Sequence, residues 1–211
     1  MELLFESRIN VKPAGKLYFL QRQPKIHPEP VLTPDTFVDG AGTSLYGTVL
    51  HDGGVYRMWY QAWPRDWDGK DCALVGYAES DNGLDWRKPN LGQADYAGQG
   101  TDNNLLALSG HSPSVFIDPQ APASHRYRAT MCTGTGRQMA PEALQGYGYF
   151  TAHSADGLHW EYDQNTPRWN RSDVITSIYH PGRKQSIAAM KMPAYLNGFQ
   201  RRTVWQAELC D

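Results

Sequence analysis

Along the chain, apolar residues recur at every second position for short runs and then stop at Gly, Pro, Asp or Asn. This is the pattern of half-buried strands joined by tight turns. Ser44 to His51 (SLYGTVLH), the turn Asp52-Gly53-Gly54 and Val55 to Gln61 (VYRMWYQ) predict a hairpin, because Asp-Gly supplies the positive φ such a turn needs. Further strands are predicted over Ala73 to Glu79 and Asp85 to Arg87. Then come Ser114 to Ile117, Arg126 to Cys132, Gly146 to His153 and His159 to Tyr162, and finally Val174 to Tyr179, Gln185 to Met190 and Arg202 to Glu208. No stretch of helical length keeps an i, i+3, i+4, i+7 apolar pattern without a Gly, a Pro or a β-rich run breaking it.

The heptapeptide SDNGLDW (Ser80 to Trp86) returns 74 residues later as SADGLHW (Ser154 to Trp160), changed at three places. Each copy follows three predicted strands and precedes a fourth. Ser, Asn or Asp, and Gly close a turn, while the Leu and Trp alternate to pack the outer strand. Four consecutive antiparallel strands, repeated at such a period, predict the blade of a β-propeller. Residues 1–42 are then a Pro-rich wrapping segment, followed by blades over about 43–98 and 99–165 and an incomplete one over 166–211. Propellers close with about four to eight blades, so three predict part of a longer ring, or a ring completed by self-association.

Gly (20), Pro (14) and 12% aromatic residues suit an all-β chain with many turns. The formal charge is −2, with no basic run, which leaves no electrostatic footprint for nucleic acid or an anionic membrane. No segment has the length of a spanning helix. The start MELLFESRIN lacks the apolar stretch of a signal peptide, which predicts a cytoplasmic protein. Cys72, Cys132 and Cys210 are odd in number and widely spaced, as for reduced thiols rather than a zinc site or disulfide frame. Asp66, Asp68 and Asp71 lack the remaining ligands of an EF-hand, and the glycine runs lack the pattern of a nucleotide loop. No metal and no cofactor are expected.

The runs VYRMWYQAW, VGYAESDNGLDWRKPNLG, NNLL, SVFIDPQAPASHRYRATM and SADGLHW together resemble the five-bladed propellers related to glycoside hydrolase families 32 and 43, and within them a family-32-like bacterial set. The likeness runs from about Leu3 to Glu208. It implies a glycan or glycoside ligand of fructan or arabinan type, held in the axial cavity by acidic residues near the starts of the first three inner strands. Tyr56, Trp59, Tyr60 and Gln61 match the end of the family's first motif, but Ser44-Leu45 stand at its Asp-Pro places, with Asp39 five residues upstream. In the second motif Ser112 of His111-Ser112-Pro113 replaces the acid. In the third, Asp173 is in register.

Glycoside hydrolysis needs two carboxyl groups flanking the scissile bond, one with a raised pKa. The candidates are Asp173 or Glu208 as acid and Asp39 as nucleophile or base. Asp102, His111 and Arg201 are candidate hydroxyl partners, and Trp63 is a candidate stacking platform for a sugar ring. The two serines at acidic places support the alternative expectation, a carbohydrate-binding propeller without turnover.

Overall fold

The computed structural model describes residues 24–70, 74–133, 144–170 and 173–209. The chain divides into two units, Met1–Pro30 and Val31–Asp211. In the first, residues 24–30 are exposed and carry no regular structure. Most of the expected wrapping segment, with Asp71, Cys72 and Cys210, lies outside the described residues.

The second unit is all-β and antiparallel, and among the described residues it holds no α-helix. Strands β1 (Gly42–Asp52), β2 (Val55–Trp63), β3 (Leu74–Ser80) and β4 (Leu105–Ser109) form one sheet in that order. A second sheet follows with β5 (His111–Ile117), β6 (Tyr127–Thr133), β7 (Gly148–Ser154) and β8 (Glu161–Tyr162), and β9 (Trp169–Asn170) also pairs with β7. The third comprises β10 (Ile175–His180), β11 (Gln185–Leu196) and β12 (Phe199–Leu209).

Alternation along the strands decides how the sheets stack. Trp59, Val75 and Tyr77 point to one face of the first sheet and meet Val115, Tyr127, Met131 and Phe150 of the second. Their neighbours Met58, Tyr60, Leu74 and Ala78 point the other way and are covered by Val38, Ala94 and Tyr96. Cys132 and Tyr149, on the far face of the second sheet, pack on Ile175, Ala188 and Met190 of the third. The period of 2 thus serves two cores from one strand.

The repeated heptapeptide forms the same turn twice. Ser80 Oγ accepts the N–H groups of Asn82 and Gly83, Asn82 Oδ1 accepts those of Leu84 and Asp85, and the Trp86 indole donates to the Gly83 carbonyl at 3.1 Å. Ser154, Asp156, Gly157 and Trp160 repeat every one of these bonds. Both glycines need positive φ, 76° at Gly83 and 78° at Gly157.

One expected strand is displaced. Over Asp85 to Arg87 the turn itself uses the backbone, so that only Arg87 bridges back to Glu79. The fourth strand of the first sheet is β4, past the boundary expected near residue 98. There Leu105 feeds one core and Leu106 and Leu108 the other.

Candidate functional site

The first strands of the three sheets, β1, β5 and β10, lie side by side, and their starts meet. Tyr46 of β1 sets its ring 5.5 Å from that of His111, the first residue of β5. His111 Nε2 lies 3.4 Å from Asp173, just ahead of β10. Further along, Thr48 Oγ1 accepts the Val115 N–H at 2.9 Å and Ser114 Oγ accepts the Ser177 N–H at 2.9 Å, so the three strands run in step. A groove of about 320 Å³ follows them, with Thr48, Ser112, Ser114, Thr176 and Ser177 on its walls.

Local backbone bends shape this mouth. The pairing of β1 slips between Ser44 and Thr48, and that of β5 between His111 and Ser114, two bulges at matching places. In the first, Gly47 approaches the Trp59 carbonyl so closely that a Cβ would stand 1.9 Å from the oxygen. Ser112 (φ 57°) and Asp173 (φ 152°) both hold positive φ. Such strain persists only where surrounding structure enforces it.

Asp173 presents one oxygen to His111 and the other to the Lys191 ammonium. Lys191 is fixed in turn, its N–H on the Val174 carbonyl and its own carbonyl accepting the Tyr149 hydroxyl at 2.6 Å. At the two other places where the resemblance implied acids stand Ser44, whose Oγ accepts the Tyr46 N–H, and Ser112, which is buried. The mouth offers a carboxylate, an ammonium, an imidazole, hydroxyls and the Tyr46 ring, which is 48% exposed.

The remaining sequence candidates do not gather here. Asp39 is fully buried. Its Oδ1 accepts from the Thr36 N–H and hydroxyl, and its Oδ2 from Tyr60 Oη at 2.9 Å and Lys88 Nζ at 2.5 Å. Burial pushes this carboxyl up, but the bonds from Lys88 and Thr36 outweigh it and hold the group below its ordinary value. The same burial, with the Asp39 charge, drives the Tyr60 phenol well upward. An anion so enclosed cannot reach a substrate as nucleophile or base. Asp102 is exposed and accepts the Asn90 amide, on the long connection between β3 and β4.

Glu208 pairs with Ile187, which pairs with Ile178. Five residues of strand, roughly 16 Å, separate Ile178 from Asp173. Glu208 is therefore near the opposite end of the third sheet. Arg201 stands opposite Ala194 on the outer part of the β11–β12 hairpin, its guanidinium 5.1 Å from the Phe199 ring. Trp63 is half-buried opposite Gly42, its ring 5.7 Å from that of Trp67. Sequence reasoning missed Tyr46, Lys191 and Lys88. Only Lys88 had a signal, its place in WRKPN beside the repeated turn.

Among the described residues no cluster of three His, Cys, Asp or Glu side chains is placed to hold a metal ion. Asp66 accepts the Tyr96 hydroxyl and Asp68 caps the Lys70 N–H.

No family model matches the chain. Uncharacterized proteins from two strains of Mycobacterium tuberculosis are 30% identical to it over 117 residues, 54% of this chain and 32% of theirs. The chain thus spans about a third of the length of the curated relatives it matches. Among solved structures, a complex of BT0996 with RGII superposes with a TM-score of 0.53 at 14% identity, over 86% of this chain and 57% of its counterpart. The chain shares that β fold. A glycosyl hydrolase from Bacteroides ovatus aligns with a TM-score of 0.48 at 19% identity, over 85% and 52% of the two chains.

Proposed function

We propose that this chain is part of a glycosidase-like five-bladed propeller that binds carbohydrate at the mouth of its inner strands, without turnover by the described residues. The observation that carries the reading is the meeting of His111 with Asp173 at 3.4 Å where two other acidic places hold Ser44 and Ser112. A lone carboxylate between an imidazole and an ammonium can accept hydrogen bonds from sugar hydroxyls, and the exposed Tyr46 ring suits the C–H face of a pyranose or furanose. Hydrolysis requires a second carboxyl group about 5 to 10 Å away. Asp39 is buried with its oxygens taken by Thr36, Tyr60 and Lys88, and Glu208 stands toward the other end of the third sheet. The fold shared with BT0996, whose solved complex contains RGII, supports a glycan as ligand.

The second reading is hydrolysis of a fructan- or arabinan-type glycoside. It is favoured by Asp173, which keeps the place of the third family acid, and it calls for a partner carboxylate from outside the described residues.

The test is a glycan array followed by calorimetric titration of each hit, with product analysis after long incubation. Saturable binding that Asp173→Asn weakens, with no sugar released, is the expected result. Sugar release lost in that variant would replace the binding reading with hydrolysis, and absence of any glycan binding would overturn both.

A further inference from the structure

The last strand of the third sheet has an open edge. In the first two sheets a further strand covers the third, β4 on β3 and β8 with β9 on β7. Among the described residues no strand pairs with β12 on the side away from β11. β12 runs for 11 residues along β11 with no bulge and no proline. It carries Phe199, Val204 (78% exposed) and Trp205 (54% exposed) into solvent. A long, regular and partly apolar edge is a template for another strand.

The hairpin turn decides which backbone groups this edge presents. Asn197 (φ 51°) and Gly198 (φ 78°) form a two-residue turn with both φ positive, so Leu196 and Phe199 are the first hydrogen-bonded pair and every second residue follows. The odd-numbered residues of β12 therefore bond to β11. Lys191, opposite Val204, accordingly sends its N–H the other way, to the Val174 carbonyl. Arg202, Val204, Gln206 and Glu208 are left with their N–H and C=O groups turned to the open edge.

The side chains along it are complementary to themselves. A two-fold axis normal to the sheet, setting β12 antiparallel to its own copy, brings residues of the same face opposite one another. Arg201 and Glu208 lie on opposite faces of β12 and cannot meet in this way. Arg202 and Glu208 share a face. The register in which they meet forms the ion pair twice, sets Val204 opposite Gln206, and puts Trp205 on the axis beside its copy. Arg202 and Glu208 are both exposed, and neither makes an ion pair among the described residues.

We infer that β12 is the contact surface of a homodimer, in which two copies of this chain join their third sheets edge to edge into one continuous antiparallel sheet. Arg202 meets Glu208 of the partner subunit on each side of the axis. The assignment does not depend on what the mouth at His111 and Asp173 binds.

The test is sedimentation of the full chain from about 1 to 100 µM, a span that brackets micromolar affinity, with hydrogen exchange of the β12 amides at both ends of the range. A monomer–dimer equilibrium is expected, with the Val204 and Gln206 amides slowed only where the dimer forms. Val204→Pro removes an edge N–H that β11 does not use, so it should leave a folded monomer. Glu208→Arg sets like charges opposite each other twice and should weaken the dimer about tenfold or more. Adding Arg202→Glu to it should restore the affinity. A monomer at every concentration would overturn the proposal, as would a dimer that all three variants leave unchanged. Edge amides already slowed in the dilute monomer would mean that a segment of the same chain covers β12, which overturns it as well.

Discussion

Trp59 of β2 donates its indole N–H to the Gly157 carbonyl at 2.8 Å, the same oxygen that takes the Trp160 indole at 3.0 Å. The repeated turn of the second sheet is thereby clamped by the first, with Arg57 adding a bond to the Asp156 carbonyl at 2.7 Å. Two copies of one sequence thus sit in unequal surroundings, and substitutions should separate them.

Alanine at Gly83 meets only the cost of a positive φ, about 1–2 kcal/mol, because the nearest atoms to a new Cβ are 3.8 Å away. At Gly157 a Cβ would stand 2.9 Å from the Trp59 ring and 3.3 Å from Tyr127, which adds about 1–3 kcal/mol of overpacking. Urea unfolding should show Gly157→Ala clearly less stable than Gly83→Ala. Equal midpoints would contradict the clamp.

Asp39→Asn should lower stability by about 1.5–3 kcal/mol, since it removes the buried one of the two carboxylates that pair with the Lys88 ammonium. Glycan binding, measured well below the melting temperature, should stay unchanged. The double variant Asp39→Leu, Lys88→Met should recover part of the loss. Loss of binding at full stability would return Asp39 to the site.

Acid should weaken the joint between the first and second sheets. The Arg126 guanidinium takes both oxygens of Asp52, at 2.9 and 2.6 Å, and with Tyr127 it holds that carboxyl down to about 2 from an ordinary 3.8. A depressed folded-state pKa stabilises the fold above the unfolded value, and the gain is lost as pH falls through the folded value. The stability difference between wild type and Asp52→Asn should therefore be full at about pH 5 and nearly gone at about pH 2. A difference that persists unchanged at about pH 2 would argue against the pair.

Ser114→Ala should cost about 1–3 kcal/mol, because it strips the buried Ser177 N–H of its acceptor between β5 and β10. Thermal melts of the two proteins measure it, and a change within error would mean that Ser177 finds another partner.

By itself the sequence determined most of the strands and both repeated turns. Those are local properties: period-2 alternation, Asp-Gly and Ser-x-x-Gly turn chemistry, and Trp residues that bond within three positions. It placed the fourth strand of the first sheet at Asp85 to Arg87, because the heptapeptide reads the same whether a strand or a long connection follows it. Only the burial of Leu105, Leu106 and Leu108 between two cores decides for β4. His111 and Asp173 were named from their places at strand starts, and the fold brings the two side chains to 3.4 Å of each other. Asp39 was misplaced because its fate depends on Lys88 and Tyr60, 49 and 21 residues away. Glu208 was misplaced because strand register, which no single strand reveals, sets which end of a sheet a residue occupies. Tertiary packing decides burial, ion pairing and register, since each is a relation between distant segments.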